Sequence, residues 1–128
     1  MSQYQDGIDI SLKAAGDLSA YQYHCVLLSA VRTANICSAI TNKIIGILQN
    51  KPAAADRAAK IRINGTTKAI AGGVVTAGDL VSTKTDGHLV TVTAGSDTTQ
   101  YVIGIALETS SADGQIIEIL IQPQGRAA

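Results

Sequence analysis

Two histidines, two cysteines and a few aspartates are the residues whose types could carry chemistry, and their spacing separates them. His24 and His88 are the only histidines. Each lies in a strand-like context with no carboxylate or cysteine at a recognised spacing. Cys25 follows His24, but adjacent side chains on a regular strand face opposite sides, so the two cannot address one substrate. Cys25 and Cys37 match no common metal or redox motif, and two thiols cannot complete a zinc site without further ligands. They read as buried small hydrophobes. Asp17 and Asp79 each stand in Ala-Gly-Asp-Leu, which marks them as turn residues bonding nearby amides rather than as a carboxylate pair. Asp113-Gly114 reads the same way. Gly72-Gly73 and Gly78 lack the lysine, the hydroxyl and the strand-loop-helix setting of a phosphate cradle. A hydrolase would have to assemble its site from distant residues such as His88 and Asp86. No catalytic, cofactor-binding or metal-binding residue is assigned, and the expectation is a protein without enzymatic activity.

Charge offers no second route to a ligand. Ten basic and ten acidic residues leave no net charge, against the basic excess or stripe of a nucleic-acid binder. Lys51, Arg57, Lys60, Arg62 and Lys68 form the densest basic region, with Asp56 as the nearby opposing charge. That reads as a solvated face with room for one acidic partner. No stretch approaches the roughly 20 apolar residues that cross a bilayer, and Met1-Ser2-Gln3-Tyr4-Gln5-Asp6 lacks the character of a signal peptide. The expectation is a chain made in a cytoplasm and kept there, or in a particle assembled there, without a membrane partner.

The element that must position these residues is a doubled segment. Ile45, Gly46, Ile47, Ala54, Ile61 and Ile63 recur as Ile103, Gly104, Ile105, Ala112, Ile119 and Ile121, every pair 58 residues apart. Ala15-Gly16-Asp17-Leu18 echoes as Ala77-Gly78-Asp79-Leu80 at a slightly different spacing, which implies a short insertion or deletion between the blocks. Repetition changes what the folding unit is. The chain of 128 residues predicts one domain over residues 21–121, built from two related β-rich halves at about 15–63 and 77–121. Size allows a real but modest core. With no Trp, no Phe and four Tyr, that core must be aliphatic, and the abundance of Val, Ile and Thr favours strands over helices.

Ala59, Ile61 and Ile63 alternate with Lys60 and Arg62, the period of a strand with one wet face. Ile117, Ile119 and Ile121 repeat the inner face, while Ile116, Glu118 and Leu120 predict a second strand covered on both sides. Gly46 and Gly104 sit inside apolar strands, where a missing side chain lets another backbone approach. Asn64-Gly65 predicts a tight turn at positive φ, with residues 66–71 returning as a separate strand. Residues 21–28, 80–83 and 88–92 read as further strands, and residues 49–57 as a loop despite their alanines. The expected class is all-β, a small barrel or sandwich-like domain.

The ends differ. Residues 1–20 read as an extended N-terminal arm, in which Ile8, Ile10 and Leu12 share one face and, with Tyr4, form the candidate partner or subunit interface, able to add a strand to a neighbour. The other reading is a first strand paired inside its own domain. Residues 122–128 read as a short, mobile tail.

Together these residues resemble the head decoration, or capsid cement, proteins of tailed bacteriophages. The resemblance rests on Tyr21-Gln22-Tyr23-His24, on Ile45-Gly46-Ile47-Leu48-Gln49-Asn50-Lys51-Pro52-Ala53, on Ala77-Gly78-Asp79-Leu80-Val81, and on Ile103-Gly104-Ile105-Ala106-Leu107-Glu108 with Asp113-Gly114. It implies a structural virion protein on the outer capsid surface, bound to the major capsid protein, commonly as a homotrimer at three-fold or quasi-three-fold positions. It implies bracing of the head against internal DNA pressure, and no cofactor or catalysis. The main rival is a virion-surface adhesin or carbohydrate-binding module, disfavoured because sugar sites use aromatic platforms and the chain has only Tyr4, Tyr21, Tyr23 and Tyr101.

Overall fold

Alternating aliphatic residues make strands throughout. The computed structural model describes residues 7–127, and over them the chain forms β1 (Gly7–Ala14), β2 (Cys25–Ala30), β3 (Thr33–Ile36), β4 (Ile44–Leu48), β5 (Ala58–Gly72), β6 (Leu80–Thr83), β7 (Leu89–Val92), β8 (Tyr101–Ala106) and β9 (Asp113–Arg126), with no helix among them. The expected all-β class holds. All strands join one sheet in the order β1-β3-β2-β4-β5-β7-β6-β8-β9, with β1–β5 and β5–β9 pairings in addition.

Those added pairings close two circuits that share β5. The first runs β1-β3-β2-β4-β5 and the second β5-β7-β6-β8-β9. Both use the same sequence of neighbours: a parallel step, then antiparallel hairpin and return strands. The register agrees residue by residue. Val26 opposite Gly46 recurs as Val81 opposite Gly104, Leu28 opposite Ala34 as Thr83 opposite Leu89, and Ala14 beside Ala34 as Ala71 beside Leu89. Each circuit is ring-like but not a barrel, because its parallel step is short: Lys13–Thr33 and Ala14–Ala34 in the first, Ala71–Leu89 alone in the second.

Gly46 and Gly104 explain how strands cross so closely. A Cβ on Gly46 would collide with the carbonyl oxygen of Arg62, and one on Gly104 with that of Leu120, the counterpart of Arg62. The expectation of close backbone approach is met at both positions.

Each circuit encloses equivalent side chains. Val26, Ala34, Leu48, Ala59 and Ile61 line the first, and Val81, Leu89, Ala106, Ile117 and Ile119 the second, all buried. Cys25, Cys37 and Ile47 point the other way and join the second cluster, so they are where the halves pack together. A third cluster of Val92, Val102 and Ala127 covers the far side of the second half.

Several expectations differ from the structure. Asn64-Gly65 makes no hairpin: Gly65 has φ 90°, but β5 runs on, pairing β1 over residues 58–65 and β9 over residues 65–72. A turn there would forfeit the β9 ladder. The Ala-Gly-Asp-Leu echo falls on non-equivalent places, since Leu80 lies in β6 opposite Val92 whereas Leu18 is a buried loop residue before β2. The doubled unit set by register instead begins at β1. The outer face of β9 is not fully covered, Ile116 being 53% exposed. Residues 122–126 are no loose tail but the end of β9, with Tyr101 opposite Arg126 and Val102 opposite Gly125, and Ala127 is buried. The reason is apolar: Val92 and Val102 need a cover, and the tail supplies it.

Candidate functional site

The residues expected to form an interface lie on or before β1, and the structure divides them. Tyr4 falls outside the described residues. Residues 7–14 follow the second reading, a strand paired inside its own domain, because β5 offers them a continuous antiparallel partner from Gly7–Gly65 to Lys13–Ala58. Ile10 and Leu12 are half-buried against the first cluster. They therefore hold β1 down. Ile8 lies beyond a register shift between Ile8 and Asp9 and is 58% exposed; such bulges twist a strand and re-aim side chains.

An ion pair fixes the start of β1. Asp9 stands opposite Arg62 on β5; its carboxylate accepts from the Arg62 guanidinium and lies 3.5 Å from Lys60 Nζ. The hydrogen bond from Arg62 holds the Asp9 carboxyl below its ordinary value. Asp9, not Asp56, is thus the counter-charge of the basic region, which long sequence separation concealed.

On its other side, among the described residues, β1 is only partly covered: the Arg32 guanidinium donates to Ser11 O at 3.5 Å. Lys13 N donates to Arg32 O at 2.9 Å, and β3 pairs only at Lys13 and Ala14. Among the described residues, no strand borders Ile8 to Leu12 on that edge. Beside it rises the β2–β3 hairpin, whose tip residue Val31 is 86% exposed, with Leu28 exposed below. An open strand edge flanked by apolar side chains is a template for strand addition.

Elsewhere the fold gathers residues that looked scattered. His24 and His88 meet with ring centroids 4.7 Å apart, and Tyr21 sits edge-on to His24 at 5.2 Å. Burial pushes His24 below the usual imidazole value. His88 Nδ1 lies 2.8 Å from Asp113 Oδ1 and 3.5 Å from Asp86 Oδ2, and the bond from His88 lowers the Asp113 carboxyl. From the sequence, Asp86 joins His88 only in a hydrolase site assembled from distant residues. Asp113 has the local context of a turn residue, and no local signal marks its contact with His88, which depends on β7 and β9 both pairing the end of β5. Asp17 and Asp79 behave as expected: Asp17 accepts from Ser19 N, and Asp79 from Thr76 N and the Thr91 hydroxyl.

A groove of about 450 Å³ runs beside this cluster, lined by residues that include Asp17, Tyr21, Asn35, Cys37 and Asp86. Tyr21 is its single aromatic residue, which gives a sugar ring no platform of stacked aromatics. Cys25 and Cys37 are free and buried; burial pushes the Cys37 thiol up to about 12 and raises that of Cys25. Neither is a thiolate nucleophile.

Comparison with known proteins agrees with this architecture. A family model described as phage cement protein matches residues 2–122. The crystal structure of the head fiber gp8.5 N base of bacteriophage phi29 superimposes with a TM-score of 0.67 at 18% identity, covering 90% of this chain and 93% of that one. At that identity the likeness is one of fold. No curated protein sequence matches.

Proposed function

This chain belongs to the phage cement protein family and is a structural protein of the phage capsid, and from that premise we propose that it binds the outer surface of the icosahedral head and stiffens it against internal DNA pressure. The observation that carries the reading is the family match across nearly the whole chain. The open edge of β1 supports a route of attachment. An extended segment of the major capsid protein adds beside Ile8 to Leu12, gaining main-chain hydrogen bonds, while Ile8 and Val31 bury against it. Three chains cluster at each three-fold or quasi-three-fold position. Many identical contacts on one particle then act together, so that modest single affinities suffice.

Co-sedimentation of purified protein with undecorated heads, quantified as copies per capsid protein, tests the role. Saturation at a fixed stoichiometry with a raised capsid melting temperature supports cementing. Saturation without stabilisation, together with a positive glycan-binding screen, favours a display module, and no binding overturns the reading. Ile8→Asp and Val31→Asp test the edge: both side chains are exposed, so the domain keeps its fold while head binding falls. Full binding by the double variant removes β1 and the hairpin from the interface.

A further inference from the structure

Gly72 ends β5 between two neighbours. Ala71 pairs with Leu89 of β7, and Gly72 with Asp113 of β9. Its φ is not left-handed, so glycine stands here for space. A Cβ would collide with the Lys84 side chain and come within 3.0 Å of the Cβ of His88. Through this gap His88, from the β6–β7 hairpin, reaches across the end of β5 to Asp113 at the start of β9.

Three ligand atoms converge there. His88 Nδ1 and one oxygen each from Asp86 and Asp113 all lie within 4.8 Å of one another, with His88 Nδ1 at 2.8 Å and 3.5 Å from the two carboxylates. The His88 ring is seated on His24, and Asp86 is steadied by accepting from His88 N at 3.1 Å. Both carboxylates are exposed.

We propose that Asp86, His88 and Asp113 bind a divalent first-row transition cation, with Zn²⁺ as the reference case. Ligand atoms about 2.0–2.2 Å from a zinc ion stand about 3–3.5 Å from each other; the two separations from His88 Nδ1, 2.8 Å and 3.5 Å, are close to that, and the two carboxylate oxygens lie within 4.8 Å of one another. The imidazole nitrogen selects transition cations over Mg²⁺ and Ca²⁺, which favour all-oxygen shells. Water completes the coordination on the exposed side. On binding, the cation takes the lone pair of Nδ1, so the ring proton sits on Nε2: a neutral His88 changes tautomer with no net proton release, and an imidazolium gives one proton to solvent. Lys84, whose Nζ donates to Gly72 O at 2.9 Å and whose charge acts on Asp113, opposes the cation. The same geometry also suits a protonated His88 clamped by two carboxylates, so the measurement must separate the two.

Calorimetric titration of the untagged, chelator-treated full chain with ZnCl₂, with thermal unfolding in parallel, provides that separation. One equivalent binds and the melting temperature rises, because a ligand of the folded state stabilises it. Affinity falls by at least about tenfold in Asp113→Asn and in His88→Ala, and it rises in Lys84→Met. MgCl₂ at the same concentration produces no shift. Asp113 is exposed, so its variant keeps the test valid should His88→Ala fail to fold. Absence of Zn²⁺ binding overturns the proposal in favour of the simple ion pair. Zn²⁺ binding that is undiminished in Asp113→Asn, or equal binding of Mg²⁺, overturns it as well.

Discussion

The two circuits share a pairing scheme and differ in what fills them. Where the first has Ala34, Leu48 and Ala59, the second has Leu89, Ala106 and Ile117. Large and small have exchanged places around the same interior, with volume moved from the return strand to its neighbours. Cores tolerate such exchanges when total volume and pattern persist. The glycines do not vary: Gly46 and Gly104 both sit against a carbonyl that no side chain could pass. Backbone approach, more than any particular side chain, is therefore what the two halves hold in common.

Their outward faces differ more. Cys25 and Cys37 of the first half are buried against the second. The corresponding Leu80 and Val92 find no third half to pack on and are covered by Ala127 and its neighbours. At the edge, Asp9 opposite Arg62 in the first half corresponds to Thr66 opposite Leu120 in the second. An ion pair holds the strand that opens the chain, and continuity of β5 holds its counterpart.

The largest expected effect is at Leu48. Leu48→Ala should cost about 3 kcal/mol in denaturant unfolding, and adding Ala34→Leu should recover part of it, since the second half has that pattern. No recovery would mean that the interiors are not interchangeable. Next, Gly46→Ala and Gly104→Ala should each cost about 2 kcal/mol through overpacking. A large difference between their unfolding midpoints would break the equivalence of the two crossings.

Removing residues 122–128 should cost about 1.5 kcal/mol by uncovering Val92 and Val102, with new binding of a hydrophobic dye. An unchanged melting temperature would show that the second half needs no cap. The smallest effect is electrostatic. The Asp9 carboxyl lies below its ordinary value of 3.8 in the folded chain, so its contribution is complete above that pH and is lost as pH falls through the lower, folded value. Asp9→Asn should cost about 1 kcal/mol near neutrality and flatten the acid limb of the stability profile. Hydrogen exchange should show β1 opening before β9 in acid; the reverse order would assign the weak seam to the second half.

Much of the fold was legible locally. Period-two alternation gave Ile61 and Ile63 their strand, and β6, Leu80–Thr83, matched its expected bounds. The doubled Ile-Gly-Ile pointed to paired halves because a glycine inside an apolar strand carries a steric message. Legibility failed where the outcome depended on a distant partner. Asn-Gly has the chemistry of a hairpin, yet β9 offered residues 65–72 a better ladder. Ile8, Ile10 and Leu12 suited strand addition, and β5 claimed most of that face first.

Sequence alone determined that this chain is β-rich, aliphatic at its core and doubled, because side-chain type and short-range spacing fix strand propensity and the inward face. Only the tertiary structure decided that β5 is shared, that the C-terminal segment is a cover, and that His88 meets Asp86 and Asp113. Those outcomes rest on strands far apart in the chain lying side by side, and Gly72 carries no local mark of the space it leaves between β7 and β9.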